Sequence, residues 1–132
     1  RRLGLENRVL LLGFISDEEK RALFWTARIY AYTSEYEGFG LSPLEAMACG
    51  APVISSNRSS LPEVVGDAGI LVEPNSKDVA SAIVRLNADA ELQATCVTNG
   101  LQQAELFTWQ RTADLTVQAY RRAAAGPFTG PV

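Results

Sequence analysis

Short apolar runs alternate along this chain with longer stretches in which apolar residues recur every third or fourth position. Val9-Leu10-Leu11-Leu12 is unbroken and stops at Gly13, which suits a strand covered on both faces. Ile29 to Tyr32, Ala51 to Ser55 (with Pro52 at its start) and Gly69 to Val72 are the next strand candidates. Helical patterns lie between and after them. Ser16-Asp17-Glu18-Glu19 reads as a capping box, opening a helix that buries Leu23, Phe24 and Ala27. Ser42 is placed to cap the next helix, with Pro43 as its first residue and Gly50 as a left-handed terminator. Ser60-Leu61-Pro62-Glu63 repeats the capping-box pattern before a helix of a turn or two that ends at Gly66. Ser76 predicts the start of a helix burying Val79, Ala80, Ile83 and Leu86, and another helix spans about Glu91 to Gln103. Thr108 caps a last helix, with Trp109, Ala113, Thr116, Val117 and Tyr120 on one face.

Strand alternating with helix predicts an α/β fold: a Rossmann-like parallel sheet of about four strands with helices on both faces. The 132 residues fit one domain, drawn over 1–122, followed by a Gly-Pro-containing tail over 123–132 that should fray. Four strands are few for a doubly wound sheet, and the chain opens on Arg1 rather than Met. The expectation is a domain truncated at its N-terminus.

Composition narrows the chemistry. With 47 % apolar and 20 % charged residues the chain is not a disordered tail. Its net charge is −3, and Lys and Arg form no stripe, so no nucleic-acid partner is expected. No stretch has transmembrane length and no signal-peptide pattern opens the chain. Cys49 and Cys96 match no metal or redox spacing; they read as reduced, buried thiols in a cytoplasmic setting. There is no histidine, so neither a Ser-His-Asp triad, a His base nor a His-ligated metal can be assembled from these residues.

The segment that could carry chemistry is Glu35-Tyr36-Glu37-Gly38-Phe39-Gly40-Leu41-Ser42-Pro43-Leu44-Glu45. It follows a strand and opens a helix, the position where open parallel sheets bind ligands. Gly38 and Gly40 let a ligand approach the backbone, and the helix N-terminus favours a pyrophosphate. Glu37 and Glu45 flank the turn, and a carboxylate can accept from two vicinal sugar hydroxyls at once. Each feature also has a plain structural reading. Glu45 fits a capping box with Ser42, Glu37 fits a solvated loop, and the glycines fit a tight turn alone. Glu63 fits either a cap or a donor contact, and Trp25 and Trp109 fit core positions better than sugar-stacking platforms.

Glu37 to Glu45, followed by Ala46-Met-Ala-Cys-Gly-Ala-Pro-Val-Ile54, resembles the Glu-(seven residues)-Glu motif of glycosyltransferase family 4. Leu61-Pro-Glu-Val-Val-Gly-Asp-Ala-Gly-Ile-Leu-Val72, Phe107-Thr-Trp109 and Val9 to Phe14 resemble further blocks of that family, in order, up to about Tyr120. The resemblance implies the C-terminal, donor-binding half of a GT-B fold and a retaining hexosyltransferase. Glu37 would contact the donor sugar and face the reacting centre, and Glu45 would hold the ribose. The backbone of Gly38, Phe39, Gly40 and Leu41 would line sugar and diphosphate. A nucleoside-diphosphate sugar would be the donor, its phosphate would take the acceptor's proton, and no metal or other cofactor would be needed. The acceptor would bind through an N-terminal domain not present in these residues, and the parent protein could associate with a membrane. The family's diphosphate-binding Arg and Lys lie upstream of Val9, and none of Arg1, Arg2 and Arg8 fits them, so these residues alone are expected to be inactive. Two rivals remain: another GT-B-like enzyme such as a sugar-nucleotide epimerase, and a non-catalytic nucleotide-sugar-binding or scaffold domain.

Overall fold

A computed structural model describes residues 3–126. Three strands, β1 (Tyr30–Tyr32), β2 (Val53–Ser56) and β3 (Ile70–Val72), form a parallel sheet in the order β1-β2-β3. Tyr30 pairs with Val53, and Ile54 with Ile70. Helices α1 (Asp17–Thr26), α2 (Leu41–Ala48) and α3 (Leu61–Val65) alternate with the strands, and a 3-10 turn (Gly66–Ala68) precedes β3. Helices α4 (Ser76–Ala88), α5 (Ala90–Glu105) and α6 (Trp109–Ala124) follow.

The side-chain alternation of a strand sorts the core into two layers. Val53 packs with Phe24, Ala46, Met47, Val64 and Val65, so α1, α2 and α3 cover one face. Ile54 packs with Ala82, Leu86 and Cys96, so α4 and α5 cover the other. Every residue of β2 is buried, as a central strand requires. The expected α/β sheet with helices on both faces is therefore present.

Among the described residues the sheet has three strands rather than four. Val9–Leu12 is unpaired, and its side chains stand in solvent, Leu11 at 90 % exposure. The halves of a doubly wound sheet spread outward from its centre in the order 3-2-1-4-5-6. The strand that ends the first half is thus separated by two others from the strand that opens the second. β1, β2 and β3 run outward like one such half, and no neighbour for Val9–Leu12 lies among the described residues.

Several local expectations change as well. The capping box at Ser16 and Glu19 forms, and Thr108 caps α6 through Arg111 N. The cap of α4 is Asn75 rather than Ser76, and the buried residues of α4 are Ala82 and Leu86, while Ala80 and Ile83 face water. Of the three residues expected to be buried by α1 and its end, Phe24 is buried and Ala27, the C-cap, partly so, but Leu23 keeps 44 % of its surface exposed. Trp25 and Trp109 are not core: they are 79 % and 83 % exposed. Trp25 follows Phe24 by one residue, a rotation of about 100° that turns it off the packed face. No residue of α6 is buried, so its predicted face is unpartnered within the described residues. Of the tail drawn over 123–132, Ala123 and Ala124 are the last residues of α6, and residues 127–132 lie outside the described residues. Both cysteines are free thiols, Cys96 buried and Cys49 half-buried.

Candidate functional site

The loop from Thr33 to Gly40 leaves the C-terminal end of β1 and turns into α2. Gly40 sets the turn. Its φ of 104° lies in the left-handed region, and a Cβ there would sit 2.8 Å from Leu61 Cδ2. Gly40, not Ser42, is therefore the N-cap, and Leu41 rather than Pro43 is the first helical residue. No side chain caps α2, so its first-turn amides stay available to a ligand. Gly50 ends the helix with φ 79°, as expected.

Ser42, now inside the helix, makes no capping box with Glu45; its Oγ shares a 2.7 Å hydrogen bond with the Tyr30 hydroxyl. Glu45 turns instead to α1. Lys20 Nζ lies 3.2 Å from Glu45 Oε1 and 3.2 Å from Oε2, and 3.3 Å from Asp17 Oδ1. The hydrogen bonds to Glu45 and then Asp17 raise the Lys20 pKa above its usual value.

Glu37 is half-buried and accepts a short hydrogen bond from the Tyr32 hydroxyl. Bonds from Tyr32 and then Ser34 hold its carboxyl below the usual range, and donation to Glu37 pushes the Tyr32 phenol up to about 12. Tyr32 stacks on Tyr30 with ring centroids 6.0 Å apart, so one aromatic pair on β1 supports both the loop and α2.

A second support comes from the end of β2. Ser60 occupies the N-cap position of α3 but its side chain does not cap the helix: its backbone is helical, and its Oγ donates to Phe39 O (2.8 Å) and Glu37 O (3.1 Å). Ser59 Oγ donates to Glu37 O at 2.7 Å, and Ser59 itself holds a positive φ of 52°. Glu63 is exposed at the start of α3 and forms no box with Ser60. The ring of Phe39 meets Phe107 edge-on at 5.8 Å, joining the loop to the segment before α6.

The structure thus gathers Glu37, Gly38, Phe39, Gly40, Leu41 and Glu45 around one strand-to-helix turn. Four contributors had escaped the sequence reading: Lys20, Tyr32 as a partner of Glu37, and the loop clamps Ser59 and Ser60. Tyr32 had a signal, since it lies two residues after Tyr30 on one strand face. Lys20 had none, because its partner is 25 residues away. Among the described residues no three His, Cys, Asp or Glu side chains gather as a metal would require, and no helix is long and apolar enough to cross a membrane.

A parallel sheet sandwiched by helices, with a glycine-bearing turn opening onto an uncapped helix at its carboxyl edge, defines a Rossmann-like α/β domain. Residues 1–103 match the family described as glycosyl transferases group 1, and the chain belongs to that family. It is 44 % identical over 117 residues to O-antigen chain mannosyltransferase B of Escherichia coli, covering 88 % of this chain and 31 % of that protein. Sucrose-phosphate synthase from Thermosynechococcus elongatus has the same fold with a TM-score of 0.82 and 35 % identity, over 94 % of this chain and 32 % of that one. HepE from Anabaena, solved in complex with UDP, matches with a TM-score of 0.78 and 32 % identity, over 92 % of this chain and 34 % of that one. The chain spans about a third or less of the length of the curated relatives it first matches.

Proposed function

We infer that this domain binds the nucleoside-diphosphate sugar donor of a retaining hexosyltransferase. The observation that carries the reading is the clamped turn from Glu37 to Glu45. Its backbone is fixed by Ser59 and Ser60, its helix N-terminus is uncapped, and a carboxylate stands at each end. Diphosphate oxygens would take the first-turn amides of α2, where the dipole is worth roughly 0.3–1 kcal/mol. Glu45 would accept the ribose hydroxyls. Glu37, kept ionised by Tyr32, would accept sugar hydroxyls and stabilise positive charge developing at the anomeric carbon. Gly38, Phe39, Gly40 and Leu41 would line the sugar and diphosphate with backbone.

The proposed reaction needs no protein base. The acceptor hydroxyl attacks on the face the diphosphate leaves, and a leaving phosphate oxygen takes its proton. No metal or other cofactor is invoked. The solved complexes of HepE with UDP and with UDP-glucose support a nucleotide-sugar donor, and the mannosyltransferase named above supports a hexose as the transferred group. Acceptor binding is assigned to a second domain facing this one. Without it, and without further cations on the diphosphate, the 132 residues alone are proposed to be inactive.

The test is thermal unfolding of the chain with millimolar UDP, GDP and ADP, each also as its hexose conjugate. A nucleotide at a hundredfold excess over its dissociation constant stabilises the folded state by about 2.7 kcal/mol. A selective rise in melting temperature that Glu45→Ala abolishes is expected. A cooperative melt that no nucleotide shifts would overturn the reading.

A further inference from the structure

We propose that Lys20 is a positioning residue for nucleotide recognition: its ammonium fixes the Glu45 carboxylate in the orientation that receives a ribose. The inference rests on the donor-site reading above and adds to it a residue that lies outside the Glu37–Glu45 segment.

The geometry is a fork held from behind. Lys20 Nζ is 3.2 Å from each Glu45 oxygen, so it sits astride the carboxylate rather than at one end of it. A carboxylate has about four lone-pair directions, and a cation engaging both oxygens leaves the others for a second partner. Two vicinal hydroxyls need both oxygens presented together, which a freely rotating Glu does not offer. Lys20 is itself anchored. It follows directly on the Ser16–Glu19 capping box that starts α1, and Asp17 Oδ1 holds its ammonium at 3.3 Å. The Lys20 and Glu45 side chains keep 34 % and 45 % of their surface exposed, so the pair is supported without being closed to a ligand.

Charge gives the second reason. A diphosphate on the α2 amides would lie between two carboxylates, Glu37 and Glu45, whose repulsion opposes binding. Lys20 offsets one of them. Arg58, on the segment after β2, is committed to Glu73 at 2.5 Å. A half-exposed ion pair contributes little to stability, so loss of Lys20 should register in recognition and not in folding.

The experiment is calorimetric titration of UDP, GDP and ADP, and of their 2′-deoxy forms, into wild type, Lys20→Met, Lys20→Arg, Glu45→Gln and the Lys20→Met/Glu45→Gln double variant. For the nucleotide that binds, wild type should prefer ribose over deoxyribose about tenfold, the range of one hydrogen bond to a charged group. Lys20→Met should shrink that preference to about threefold or less, Lys20→Arg should restore part of it, and the double variant should be no worse than Glu45→Gln, the non-additivity of coupled residues. Lys20→Gln replaces Met if the melting temperature shows that Met impairs folding, with the same contraction expected. A Lys20→Met or Lys20→Gln protein that keeps the full ribose preference while Glu45→Gln loses it overturns this inference and leaves the donor site standing. Failure of wild type to bind any of the three nucleotides, or indifference of the ribose preference to Glu45→Gln, removes the donor-site assignment and this inference with it.

Discussion

The stretch from Gly40 to Ala68 and helix α6 carry equally clear apolar patterns, yet their environments are opposite. Pro43, Ala46, Met47, Val53, Ile54, Leu61, Val64 and Val65 are all buried, whereas Trp109, Leu115, Val117 and Tyr120 face water. The difference lies in connection. α2, β2 and α3 are neighbours in sequence joined by short turns, and each supplies the surface the next one buries. α6 follows the last strand by two helices, and its apolar side meets none of the described elements closely enough to bury a residue. A hydrophobic period therefore specifies a face, and only tertiary neighbours decide whether that face becomes core.

Paired truncations should break this comparison most sharply. Leu86→Ala empties a fully buried site under β2 and should cost about 2–5 kcal/mol, while Leu115→Ala on α6 should cost less than about 0.5 kcal/mol. Denaturant unfolding measures both. Near-equal losses would mean that α6 is packed in solution against a surface outside the described residues.

Next in size is Gly40→Ala. The added Cβ meets Leu61 Cδ2 at 2.8 Å, and the backbone must hold φ 104° without glycine's freedom. A destabilisation of about 1–3 kcal/mol is expected. Because Gly40 is also the N-cap of α2, nucleotide-induced stabilisation should fall by more than the thermal loss predicts. An unchanged melting shift with UDP, GDP and ADP would detach the turn from the ligand.

Two serines sharpen the contrast between a cap and a clamp. Ser16→Ala removes a helix cap on α1, and Ser60→Ala removes two hydroxyl contacts to the loop carbonyls of Glu37 and Phe39. Both should cost about 1 kcal/mol. Only Ser60→Ala should weaken nucleotide binding, which titration of the two variants side by side would reveal.

The same serines mark how far the sequence could be read. Ser16 and Thr108 announced their caps because the partner amide is three residues away. Ser42, Ser60 and Ser76 carried the same local signal and did other things. Gly40 took the cap from Ser42, Asn75 took it from Ser76, and the carbonyls of residues 37 and 39 drew Ser60 away. The alternating strands and helices, and the grouping of Glu37 to Glu45 on one turn, were legible because each rests on local pattern. The clamps on that turn were not, since Lys20, Ser59 and Ser60 reach it from 21 to 25 residues away. Val9–Leu12 failed for a related reason. A strand is a relation between two segments, and an apolar run states only one side of it.

The smallest effect expected is on pH dependence, and it isolates the Tyr32–Glu37 bond. The Tyr32 phenol ionises at about 12 in the folded chain, against an ordinary value of 10.0. The neutral phenol is thus favoured by folding. Its contribution is fully present below pH 10 and is lost as pH rises from about 10 to 12, where the unfolded chain gives up the proton first. Glu37 shows the opposite sign. Its folded pKa is lowered by Tyr32 and then Ser34, so its contribution is present above the unfolded carboxylate pKa of 4.5 and is lost as pH falls through the folded one. Tyr32→Phe removes the shared hydrogen bond and should flatten both limbs at once, with the gap to wild type widest near neutrality, where both contributions are present, and narrowing toward either extreme. Lys20 is also raised above its ordinary 10.5 and weakens the alkaline side of every variant, so the informative quantity is the difference between wild type and Tyr32→Phe. Urea midpoints at pH 3, 7 and 11.5 would measure it. A Tyr32→Phe protein whose alkaline limb parallels wild type would show that the phenol is not bound to Glu37 in solution. The loop would then owe its shape to the serine clamps alone.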